Sequence, residues 1–141
     1  MYQRLLLYSD GGARGNPGPA AIAYLALTEK SEIVKADSRF IGIHTNNQAE
    51  YNALIAAMQF AIALKAEEIV CHLDSELVVK QLNREYSVKN FELQKLWDRA
   101  QELKSYFKKI SFLNVPRNNL LIQRADALVN KTLDDAARKR L

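Results

Sequence analysis

Three strand-like stretches, residues 5–9, 20–27 and 38–44, fall within the first 44 positions, and the segments joining them are too short to hold a crossover helix. They read as an antiparallel meander. A helix over residues 47–65 follows, free of Gly and Pro, with Thr45, Asn46 and Asn47 available to cap it. The pattern then changes to a strand over 68–74, a helix opened by Ser75, a helix over 91–107, a strand over 110–115 stopped by Pro116, and a last helix over about 121–138. Strands entered through helical crossovers lie parallel to their neighbours. The expected architecture is therefore α/β: a five-stranded mixed sheet, three antiparallel strands then two parallel strands, flanked by helices. Leu5, Leu6 and Leu7 form a continuous apolar run, as a central strand buried on both faces requires.

A chain of 141 residues fits one domain over residues 1–141. Cys71 is the single cysteine and His44 and His72 the only histidines, so neither a disulfide framework nor a zinc site can be assembled. No basic-plus-apolar leader and no apolar run of membrane length appears, and the expectation is a cytoplasmic monomer without membrane association. The formal charge of +4 favours a polyanionic partner mildly. The basic clusters at Lys104, Lys108, Lys109 and at Arg138, Lys139, Arg140 read as solubilising surface. His44, His72 and Trp97 read as structural.

Four carboxylates stand out by position. Asp10 closes the first apolar run just before a loop with Gly11, Gly12, Gly15 and Gly18, and Asp74 closes the fourth strand in the same way. Either alone can be a turn former. If the two strands are parallel neighbours, both emerge at one sheet edge, where open α/β sheets place their ligand sites. Glu50 shares a helical stripe with Leu54, Ala57 and Ala61, and Asp126 aligns with Ile122, Val129 and Leu133. An acid on an apolar stripe needs a partner, either a basic side chain such as Arg124 or Lys80, or a metal. Four acids without a histidine pair make an oxygen-rich site for hard divalent cations, Mg²⁺ or Mn²⁺. Two such ions offset the mutual repulsion and suit hydrolysis of a phosphodiester.

These contexts resemble ribonuclease H type 1. The stretches "YSDGGARGNPGPAAIAY", "TNNQAEYNAL", "CHLDSELVVKQL" and "VPRNNLLIQRADALVN" are similar to the family's four motifs, in order, across nearly the whole chain. The resemblance implies that Asp10, Glu50, Asp74 and Asp126 carry a two-metal site, and that the RNA strand of RNA·DNA hybrids is cut to leave 5′-phosphate and 3′-hydroxyl ends. It further implies substrate contacts from Gly12 and Gly15, a DNA-phosphate pocket built by Asn16 with Thr45, and minor-groove contacts from Asn46, Asn47 and Gln48, where a 2′-hydroxyl marks RNA. Helix capping is the competing role for Thr45 to Asn47.

Departures from the family pattern are also visible. The segment before Phe91 is too short for the lysine-rich protrusion of some members, which predicts salt-sensitive hybrid binding. The loop before the fourth acid lacks a histidine, and Arg117 is the candidate for contact with the scissile phosphate. Glu76 replaces a frequent amide and Ile122 a common asparagine. An integrase-like transferase would bring extra DNA-binding domains. A KH-type clamp at "GARG" would join two helices, whereas this loop follows a strand. A non-catalytic binder of the same fold is the remaining alternative.

Overall fold

The computed structural model describes residues 2–139, and Arg140 of the basic C-terminal cluster lies outside them. Strand β1 runs over Arg4–Ala13, β2 over Gly18–Leu27 and β3 over Ile33–His44. Helix α1 spans Asn46–Ala63, β4 Glu68–Leu73, α2 Glu76–Leu82 and α3 Phe91–Leu103, with a 3₁₀ turn at Lys104–Tyr106. Strand β5 covers Lys109–Asn114 and α4 Leu120–Lys139. The sheet order is β3-β2-β1-β4-β5, antiparallel across β1, β2 and β3 and parallel across β1, β4 and β5. This is the mixed sheet the element order predicts.

Alternation along β2 sorts the core into two layers. Ile22, Tyr24 and Ala26 pack with Leu5 and Leu7 of β1 and with the apolar residues of α1. Ala21 and Ala23 face the other way, against Ala125, Val129 and Leu133 of α4. Small side chains on β2 let α4 lie close to the sheet. Trp97 packs against the larger cluster and donates its indole N–H to the Gln81 carbonyl at 2.9 Å, as a structural residue does. Among the described residues no helix is long and apolar enough to cross a membrane.

Three boundaries differ from expectation by more than two residues. Strand β1 does not stop at Ser9: pairing with β2 continues from Asp10↔Ala23 to Ala13↔Ala20, so Asp10 sits inside the strand. Strand β3 starts at Ile33, five residues early, because its ladder with β2 reaches Leu27↔Ile33. The helix expected over 91–107 ends at Leu103 and tightens into the 3₁₀ turn. Leu6 is only half-buried, unlike Leu5 and Leu7, so burial of β1 on both faces is incomplete along the strand.

Candidate active site

Parallel pairing of Tyr8 with His72 carries both chains forward in register, so Asp10 and Asp74, each two residues on, emerge beside one another. The rings of Tyr8 and His72 stack behind them, with centroids 4.1 Å apart. His72 Nδ1 donates to the Leu7 carbonyl at 2.9 Å, a structural role, and His44 Nε2 likewise donates to Ile41 at 2.9 Å. Asp74 follows the last residue of β4, and Ser75 caps α2 by accepting from the Val78 N–H.

Glu50 is delivered from the side by α1. Thr45 and Gln48 form a reciprocal capping box, Thr45 Oγ1 accepting from Gln48 N–H at 3.1 Å and Gln48 Oε1 from Thr45 N–H at 2.8 Å. Asn46 ties the helix start to the β1–β2 hairpin: its Oδ1 accepts from Ala13 N–H at 2.9 Å, and its own N–H donates to Asn16 Oδ1 at 3.0 Å. Where α1 crosses β1, a Cβ on Gly11 would meet the Ala49 carbonyl oxygen at 2.2 Å. Only glycine permits that approach, and it lets Gly11 N–H donate to Glu50 Oε1 at 3.1 Å.

Carboxylate oxygens of Asp10, Glu50 and Asp74 lie within 4.8 Å of one another. Glu50 is buried with Leu54, Ala57 and Ala61 on the stripe the sequence indicated, yet among the described residues no basic side chain pairs with it. Lys80 pairs instead with Glu76 at 2.9 Å. Glu50 Oε2 is buried with no hydrogen-bond partner among the described residues. Burial, then the charges of Asp10 and Asp74, push the Glu50 carboxyl well above the usual range. Asp10 rises from 3.8 to about 7, through burial first and then the negative charges of Asp74 and Asp126, against a lowering hydrogen bond with Glu50. Asp74 is raised by burial, with the Arg117 guanidinium opposing. Three crowded carboxylates, one with a buried oxygen that no described residue bonds, form an all-oxygen donor set that could hold a hard metal cation.

Asp126 corrects the stripe argument. It is exposed, and Ala125 takes the inward position with Ile122, Val129 and Leu133. Asp126 stands outside the compact trio but lines the same cleft, which has a volume of about 510 Å³. Gly12, Asn46, Asn47 and Arg117 also line it, with Arg117 Nε 3.7 Å from Asp74 Oδ2. Asn16, Thr45 and Gln48 line a second pocket that shares Asn47 with the cleft. Gly15 sits in the hairpin at φ 98°. Gly12 has room for a Cβ, 3.8 Å from Val129, so the fold does not require glycine there. Gly11, Ser75 and Gln123 are cleft residues that sequence reasoning missed. Gln123 was detectable as the residue one helical turn before Asp126.

A family model described as reverse transcriptase-like matches residues 8–132. The crystal structure of RNase H1 from Halobacterium salinarum superposes with a TM-score of 0.90 at 42% identity, covering 94% of this chain and 98% of that one. The chain belongs to the ribonuclease H family. A second ribonuclease H structure, LC11-RNase H1 in complex with RNA/DNA hybrid, aligns at a TM-score of 0.87 and 38% identity over 94% of this chain and 99% of that one. Among full-length relatives, ribonuclease HI of Halobacterium salinarum is 43% identical over 94% of this chain and 66% of its own length. A bifunctional protein of Mycobacterium tuberculosis is 42% identical over 95% of this chain. This ribonuclease H chain thus spans about two-thirds of the first relative and 36% of the second.

Proposed function

We propose that this chain is a single ribonuclease H domain over residues 1–141 that hydrolyses the RNA strand of RNA·DNA hybrids, leaving 5′-phosphate and 3′-hydroxyl ends. The observation that carries the reading is the crowding of Asp10, Glu50 and Asp74 within 4.8 Å, with Asp126 on the rim of the same cleft. Support comes from the structural likeness to an RNase H1 held in complex with RNA/DNA hybrid. Asp10, Glu50, Asp74 and Asp126 would hold two Mg²⁺ or Mn²⁺ ions. When bound, the ions supply activation of water and stabilisation of the leaving oxygen.

The chain's own groups position and discriminate. Gly11 N–H fixes one Glu50 oxygen, which leaves Oε2 for a cation. Arg117 projects into solvent beside Asp74, and there its guanidinium would meet the scissile phosphate. Asn47 lines the cleft, and its side-chain amide would meet a ribose 2′-hydroxyl, the group that separates RNA from DNA. Thr45, Gln48 and Asn46 act chiefly by holding α1 and the hairpin in place, so Asn16 and Gly15 present the hairpin to the substrate. A charge of +4 and a buried, unpaired Cys71 suit a cytoplasmic, monomeric nucleic-acid enzyme.

One assay tests the activity. Labelled RNA·DNA hybrid, single-stranded RNA, DNA duplex and RNA duplex are each incubated with Mg²⁺ or Mn²⁺. Cleavage confined to the RNA of the hybrid, and abolished in Asp10→Asn, is the expected result. An intact hybrid with the wild-type chain, or full activity of the variant, overturns the reading.

A further inference from the structure

The pocket beside the cleft lies between the start of α1 and the start of α3 and has a volume of about 340 Å³. Asn16, Thr45, Asn47, Gln48, Asn90 and Glu92 line it. Asn47 belongs to both the pocket and the acid cleft, so the two are adjacent. Hydrogen bonds within the protein orient its amides. Asn16 Oδ1 accepts from Asn46 N–H and Asn90 Oδ1 accepts from Leu93 N–H at 3.0 Å each. With both carbonyl oxygens engaged, the two NH₂ groups remain as donors.

Donors of this kind suit a phosphate, but the charge does not. Among the described residues no lysine or arginine lines the pocket, and Glu92 supplies its one ionisable side chain. The nearest counter-charge is Lys95, 3.6 Å away on the same helix. Local structure accounts for an acid at this point. Glu92 lies in the first turn of α3, where a negative charge favours the helix dipole, and Lys95 follows at i+3. Helix stability and polyanion binding therefore make opposite demands on one residue.

We infer that Glu92 is an affinity-setting residue, a built-in brake on hybrid binding at the pocket next to the catalytic cleft. The inference rests on the hybrid-binding reading above and adds to it the residue that limits affinity. Each phosphate that settles among the amides of Asn16, Asn47 and Asn90 meets a like charge from Glu92. Neutralising it removes that repulsion and frees Lys95 to attract the strand.

The test measures binding of RNA·DNA hybrid by Asp10→Asn chains, which hold substrate without turnover, with and without Glu92→Gln. Glu102→Gln serves as control, an exposed acid near the other end of α3 paired with Arg99 at 3.6 Å. Glu92→Gln is expected to tighten binding about 3- to 10-fold at low salt, as for one partly solvated like-charge contact. The gain should fade by about 0.5 M salt, where screening reaches only a few ångströms. Glu102→Gln should bind as the parent does. If Glu92 only stabilises the helix, Glu92→Gln lowers Tm without tightening binding. That outcome, or equal tightening by both variants, overturns the inference. Hybrid cleavage by the wild-type chain is read separately: its absence sinks the enzymatic reading, whereas these binding comparisons decide the role of Glu92.

Discussion

Replacing Asp10 by asparagine should make the metal-free protein more stable while destroying its activity. Asp10 is 6% exposed and its carboxyl is raised from 3.8 to about 7. A folded state that binds a proton more tightly than the unfolded chain loses stability as pH rises between those two values. The loss is near zero below pH 4, grows through the acid range and levels off above pH 7. At about 1.4 kcal/mol per pKa unit, a shift of about three units amounts to about 4 kcal/mol at pH 8. Asparagine keeps the shape and removes the charge. Urea unfolding in EDTA from pH 4 to 8.5 measures the effect. The wild-type chain should weaken across the range, and Asp10→Asn should exceed it by several kcal/mol at pH 8 and by little at pH 4. Saturating Mg²⁺ should close most of the gap, because the wild type binds the cation and the variant binds it poorly. Equal stability of the two chains at pH 8 in EDTA would refute the claim that charge crowding strains this site.

Other substitutions probe separate parts of the cleft. Gly11→Ala places a Cβ 2.2 Å from the Ala49 carbonyl oxygen, and should cost about 1–3 kcal/mol in urea unfolding as α1 and β1 are forced apart; an unchanged midpoint contradicts the close approach. Arg117→Ala should lower hybrid turnover about tenfold if the guanidinium meets the phosphate. It also removes the cation that holds Asp74 down, so the acid limb of the pH–rate profile should move upward. An unimpaired enzyme with an unshifted profile removes Arg117 from the site. Gln123, exposed on the cleft wall, should tolerate alanine within about 0.5 kcal/mol of stability. Its loss should nonetheless raise KM for hybrid several-fold, and an unaltered KM makes it a bystander.

Asp10, Glu50 and Asp74 were legible from sequence because each signal is local: an acid at the end of an apolar run, or an acid on an apolar stripe. Asp126 shows where that logic stops. Helical spacing puts residues 125 and 126 on either side of the same stripe, and only the way α4 lies across Ala21 and Ala23 turns Ala125 inward and leaves Asp126 at the rim. Thr45 was visible both as a cap and as a substrate contact; the reciprocal hydrogen bonds with Gln48 establish the cap, a role compatible with substrate contact.

The amino-acid sequence by itself determined the order of elements, the mixed sheet and the identity of the acids, since hydrophobic period and turn chemistry act over a few residues. It did not determine how far β1 extends, why Gly11 rather than Gly12 must lack a side chain, or that Glu92 faces the same pocket as Asn16. Those depend on pairing with β2, on the crossing of α1 over β1 and on the packing of α3 beside α1. Periodicity sets the angle between side chains on one element. The rotation of that element against its neighbours is set by the packed core, which joins residues distant in the chain.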